Sequence, residues 1–305
     1  MIRSLLLSGA ALLLWTITAA AQGCGDSGAF VQVLGSGGPQ LQNGRASNSF
    51  IVWINGRARI LVDIGGGAAL RFGESRAQIS DLDAILFTQL DAGHSAGLPA
   101  LIDASRYARR TAPLPVYGPG ASRTIPSTIT FVRALFDGTH GAYRGLGEFL
   151  SPLGHTVYKL KPHEIIAKWD IAKPVMVGDH LQVFAAPLAL TPAPTLAWRI
   201  NANGKSVVFV GDMSEKVLVL KTLAANADLL IVSAGAGENA PTGGTRAKLA
   251  LQSIGRFAAA SHAQRLVLTE LGSHTQANEE QALTALDASY NGRVQFVNDL
   301  QCLRF

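Results

Sequence analysis

The sequence predicts an α/β fold in which two packed mixed sheets carry helices on their outer faces, and three observations predict it. Asn55-Gly56 and Asn203-Gly204 each stand between β-rich runs, the strongest short-range signal for a hairpin. Helical segments follow each hairpin, so the chain reads as two halves of similar plan. The last third then alternates helix and strand from Glu215 to Val297.

The elements follow in order. Ala29 to Leu34 is an apolar strand running into Gly35-Ser36-Gly37-Gly38-Pro39, a tight glycine loop. Ser49 to Ile54 and Ala58 to Val62 form the first hairpin, whose second strand delivers Asp63 into Gly65-Gly66-Gly67. Ala84 to Thr88 is a buried strand, followed by a short polar loop and a single helix from near His94 past Leu101. From about Ser105 to His180 the pattern is irregular, with Pro113, Pro115, Pro119 and Pro126 marking loops and one helix from Ser127 to Phe136, so these residues read as an insert or cap. Leu181 to Ala186 is a strand, and Leu196 to Ile200 with Ser206 to Val210 make the second hairpin. Helices over 215–225, 247–260 and 276–290 then alternate with strands over 229–232, 266–269 and 294–297.

The first 21 residues read as a signal peptide: Arg3 supplies the positive start, Leu5 to Ala20 is almost wholly apolar, and Ala19-Ala20-Ala21 is a small-residue cleavage pattern. Residues 22–305 are then one exported domain, periplasmic or secreted, with no membrane attachment after cleavage. In an oxidising compartment Cys24 and Cys302, at opposite ends of that domain, can form a disulfide; closing so long a loop contributes about 4 kcal/mol. Two buried thiols, or lipidation of Cys24, are the alternatives. Lys plus Arg exceed Asp plus Glu by 26 to 21, and no dense basic block with interleaved aromatics accompanies that mild surplus. Nucleic acid is therefore not among the expected partners, which leaves a small-molecule ligand or a protein.

Five segments in this order resemble the metallo-β-lactamase superfamily, most closely its ribonuclease Z, arylsulfatase and phosphodiesterase branch. They are Leu34-Gly35-Ser36-Gly37-Gly38, Leu61-Val62-Asp63-Ile64-Gly65, the run from Phe87 to Leu98, Val208-Phe209-Val210-Gly211-Asp212, and Leu266-Val267-Leu268-Thr269-Glu270. The resemblance spans Val33 to about Phe296 and implies the αβ/βα four-layer sandwich. It also implies a centre of two metals, held by a His-x-His-x-Asp-His loop, a histidine before the second hairpin, a bridging Asp and a late histidine. Such metals activate a water, lowering its pKa toward about 7, and polarise the ester under attack.

This chain departs from that pattern. Gln89 and Asp91 stand at the two alternating histidines, Gly93 at the Asp, Leu190 at the next histidine and Glu270 at the late one; His94 and Asp212 match. Gly93 and Leu190 carry no donor atom, so the nitrogen-rich zinc pair cannot form from these positions. Asp91, His94, Asp212 and Glu270, with Gln89 a weaker fifth, remain as an oxygen-rich set for one divalent ion, Mn, Fe, Mg, Ca or Zn, a set that suits the first four ions better than tetrahedral Zn. His94 and Asp212 would be the catalytic members of such a site. Equally, Asp91 and Glu270 can be polar residues of a dead site, with His94 packed on the helix. The resemblance thus implies a non-catalytic or strongly altered relative of metal-dependent hydrolases. Its alternative is a hydrolase of a phosphoester, sulfate ester or similar anionic substrate. Arg106, Arg109 and Arg110 are candidates to steer such an anion, His274 is a candidate substitute ligand, and Asp63 is expected to support the loop without acting in catalysis.

Overall fold

The computed structural model describes residues 23–38, 44–153, 155, 158–166, 171–189, 193–211, 217–234, 245–270 and 279–305. Two seven-stranded mixed sheets form its centre. The first contains β1 (Ala29–Gly35), β2 (Ser49–Ile54), β3 (Arg57–Val62), β4 (Ala84–Leu86), β5 (Leu114–Pro119), β6 (Leu160–Ile165) and β14 (Cys302–Arg304), in the order β14-β1-β2-β3-β4-β5-β6. The second runs β13-β12-β11-β10-β9-β8-β7, from β7 (Lys173–Val177), β8 (Leu181–Ala189), β9 (Thr195–Ala202), β10 (Lys205–Val210), β11 (Leu229–Ser233), β12 (Arg265–Thr269) and β13 (Arg293–Phe296).

Alternation along the strands divides the apolar residues among three layers of core. Val52, Ile60 and Leu86 of the first sheet meet Trp198, Phe209 and Ile231 of the second in the central layer. Their neighbours Ile51, Leu61 and Ile85 face outward onto Phe72, Leu98, Leu101, Val132 and Phe136. These come from α1 (Ala68–Glu74), α3 (Leu98–Ala104) and α4 (Thr128–Phe136). On the far side Val208, Val210, Leu230 and Val232 pack against α5 (Val217–Leu223), α6 (Thr245–Ala260) and α7 (Glu279–Asp287). Helix, sheet, sheet and helix are thus the four layers the sequence predicts.

Both Asn-Gly turns form, with φ of 49° and 76° at Asn55 and Gly56 and 51° and 73° at Asn203 and Gly204, the left-handed pair that suits strand twist. The helix expected from His94 onward is two helices, α2 (Ala92–Ser95) and α3, separated at Ala96-Gly97. The break follows from close packing: a Cβ on Gly97 would lie 2.7 Å from the Gly65 carbonyl oxygen, and Gly97 N donates to Ile64 O at 2.8 Å. The stretch read as an insert supplies β5 and β6 to the first sheet and β7 to the second. Pro115 and Pro119, which read as loop markers, lie within β5, beside edge strand β6, which itself carries Pro162.

The carboxy-terminal residues are tied back onto the start of the domain. β14 pairs antiparallel with β1, and Cys24 is disulfide-bonded to Cys302 across a separation of 278 residues. Asp299 accepts hydrogen bonds from Ser36 N, Ser36 Oγ and Ala46 N and pairs with Arg71, so it fastens the glycine loop after β1. No helix of the described residues is long and apolar enough to cross a membrane.

Candidate functional site

The site assembles where β3, β4, β11 and β12 end. Asp63 follows β3 with φ of 54°, and its carboxylate accepts from Thr88 N and Thr88 Oγ1, both at 2.7 Å. Those bonds fix the first residue of the loop that carries Gln89, Asp91 and His94. Burial raises the Asp63 pKa from 3.8 to about 7, against the lowering effects of His94 and the Thr88 hydrogen bonds. Asp63 is thereby the support residue the sequence implies. Ile64 N donates to His94 O at 2.8 Å, and a Cβ on Gly65 would lie 2.1 Å from Gly93 O, so this close approach requires glycine.

His94 is buried, and a carboxylate faces each of its ring nitrogens. Nδ1 lies 2.9 Å from Asp91 Oδ1, and Nε2 lies 2.9 Å from Glu270 Oε1 at an ion-pair distance without hydrogen-bond alignment. Burial pulls the imidazole pKa down, but the Glu270 charge and the Asp91 and Glu270 contacts outweigh it, and the net shift is well upward. Nδ1 also lies 3.1 Å from the Gln89 side-chain nitrogen, so Asp91, Gln89 and Glu270 together surround the ring. Asp91, though its burial works the other way, is held below the usual carboxylate range by hydrogen bonds from His94, the Gln89 amide and Gly93 N.

Glu270 enters from the end of β12 with φ of 54°, its N–H donating to Ser36 O at 2.9 Å. The Asp299 fastening of Ser36 therefore also sets where Glu270 stands. Its second carboxylate oxygen accepts from Ser233 Oγ at 2.5 Å. Ser233 was not a candidate in the sequence; a polar residue closing the apolar β11 run, in parallel register with Thr269, was the signal for it. Thr195 completes the surroundings by donating to Gln89 Oε1 at 3.3 Å.

The structure thus brings Gln89, Asp91, His94 and Glu270 together, as a line of carboxylate, imidazole and carboxylate. Asp212, Leu190 and His274 lie outside the described residues. Among the described residues, no group of three or more His, Cys, Asp or Glu side chains is placed to hold a metal ion. A Cβ on Gly93, where the pattern has an Asp, would meet Asp91 Oδ1 at 3.1 Å, so the Asp91 carboxylate occupies that space.

Two arginines read as anion-steering are engaged elsewhere. Arg110 is buried and donates to the carbonyls of Ile79, Leu82 and Pro113, while Arg106 pairs with Asp103 and Glu148 over the Phe149 ring. Ser95 Oγ donates to Asp91 O at 2.7 Å, a helix-start bond rather than a nucleophile's setting. His163 stacks on Tyr117, and His140 is exposed.

Two facing sheets, outer helices and a strand-end cluster on the motif loop define the class. The profile of the beta-lactamase superfamily domain matches residues 58–294, and the chain belongs to the metallo-β-lactamase superfamily. Within it, ribonuclease Z of Mycobacterium bovis BCG is 30% identical over 206 residues, covering 66% of this chain and 68% of the relative, which places the chain on the ribonuclease Z branch. Among solved structures, the metallo-β-lactamase fold protein YhfI of Bacillus subtilis superposes with a TM-score of 0.65 at 18% identity, over 91% of this chain and 99% of that one. The short form of human tRNase Z superposes equally well, with a TM-score of 0.65 at 18% identity over 90% and 98% of the two chains.

Proposed function

We propose that this chain is an exported member of the superfamily that has lost the two-zinc centre and acts by binding a small molecule or a protein, not by hydrolysis. One observation carries the reading: both nitrogens of His94 face carboxylates, Asp91 on one edge and Glu270 on the other. An imidazole ligates a metal through a free nitrogen lone pair. Each His94 nitrogen is already faced by an acid, and the two acids lie on opposite edges of the ring instead of converging on one point. The usual metal pair therefore does not fit the described residues. Ala19-Ala20-Ala21 after the apolar run supports export, as does the Cys24–Cys302 bond, because disulfides persist in oxidising compartments.

The test is metal content by mass spectrometry on protein purified without a metal-binding tag, before and after incubation with Zn, Mn, Fe(II), Mg and Ca, together with turnover on phosphodiesters and sulfate esters. The expected result is no stoichiometric ion and no turnover. One ion per chain that disappears in Asp212→Ala, with hydrolysis that follows the ion, would overturn the proposal in favour of a single-metal hydrolase.

A further inference from the structure

A groove of about 810 Å³ opens between α4, the turn after it, the segment 144–152 and edge strand β6, and it shares no residue with the His94 cluster. Its volume is that of a small-ligand pocket. Ile129, Leu150 and Leu160 contribute apolar walls, and Arg133, Arg144 and Lys161 bring three cations to the same opening.

Charge accounting within the groove gives it a sign. It contains two acids, and both are engaged inside the protein. Glu148 pairs with Arg106 at 2.6 Å. The Asp137 carboxylate turns back onto its own loop, accepting from Thr139 N at 2.9 Å and His140 N at 2.8 Å. The three bases have no matching engagement. Arg133 acts on Asp137 only electrostatically, and among the described residues Arg144 and Lys161 enter no ion pair or side-chain hydrogen bond. Cations gathered over an apolar-walled groove, with the local acids already satisfied, attract an anion whose body is apolar.

We propose that this groove is a binding site for an organic anion, one bearing a phosphate, sulfate, sulfonate or carboxylate head on an apolar body, with Arg144 and Lys161 as the head-group contacts. The site is independent of the reading of the His94 cluster.

The test is fluorescence titration of the full chain with 1-naphthalenesulfonate, which cannot be hydrolysed. Arg144→Glu/Lys161→Glu is expected to weaken binding at least tenfold, and Arg57→Glu/Arg123→Glu, an equal charge change at exposed positions outside the groove, less than twofold. Uncharged 1-naphthalenemethanol and ring-free methanesulfonate are each expected to bind at least tenfold more weakly than the probe. No saturable binding overturns the proposal, as does equal weakening by the two double variants or equal affinity for either comparison compound. All four positions are exposed, so retained thermal unfolding midpoints will confirm that the variants remain folded.

Discussion

The His94 cluster and the groove beside α4 handle charge in opposite ways. In the cluster His94, Glu270 and Asp63 are buried, Asp91 is partly so, and each acid meets a partner within the protein: Asp91 and Glu270 on His94, Glu270 also on Ser233, and Asp63 on Thr88. In the groove the cations are exposed, and among the described residues Arg144 and Lys161 enter no ion pair or side-chain hydrogen bond. The difference follows from solvation. A charge removed from water is costly unless paired and hydrogen-bonded, whereas water sustains an exposed one until a ligand displaces it. Internal neutralisation is therefore the signature of structure, and a solvated surplus of one sign is the signature of a site still open to a partner.

The sharpest way to break that comparison is to remove the central imidazole. His94→Ala leaves Asp91 and Glu270 facing a cavity, and the expected loss is about 3–5 kcal/mol in urea unfolding, the scale for a buried charge deprived of its partner. A loss below about 1 kcal/mol would show that the cluster is not held as a neutralised unit.

A second test concerns pH. The folded pKa of Asp63, about 7, stands above its ordinary value of 3.8, so the native state binds more protons across that interval. By linkage, the stability associated with this carboxyl is fully present below about pH 3.8 and is lost as pH rises through about 7. Asp63→Asn, which keeps an oxygen for Thr88 N, is expected to flatten the stability profile between pH 4 and 8. A profile as steep as that of the unsubstituted protein would place the titrating group elsewhere.

The smallest effect belongs to the groove. Arg144→Glu and Lys161→Glu, taken singly, are each expected to change stability by no more than about 0.5 kcal/mol, since among the described residues neither side chain enters an ion pair or side-chain hydrogen bond. A larger loss in either variant would give that residue a structural role and blur the contrast.

The fold was legible wherever its cause is local. Asn55-Gly56 and Asn203-Gly204 announce their hairpins because the left-handed backbone is a property of those two residues themselves. Strand β14 was missed because three residues carry little pattern and its pairing partner, β1, lies far away in sequence. The break between α2 and α3 was missed for the same reason: what stops the helix is the backbone at Ile64 and Gly65, not anything in the run around Gly97. At the site, motif position brought His94, Asp91 and Glu270 into one place, but spacing says nothing about which edge of an imidazole an acid will face. Arg110 misled because its partners are main-chain carbonyls, which have no signature among side chains.

The tie between Cys24 and Cys302 makes almost the whole domain a closed covalent ring. A protease that cuts any one loop between those residues leaves a single molecule, linked through the bond, instead of two separable fragments. A mechanical load applied through the segments outside the ring crosses from one sulfur to the other and meets the sheets only at β14. Extension under such a load should therefore stay short until a reductant opens the ring, and only then should the sandwich bear the force.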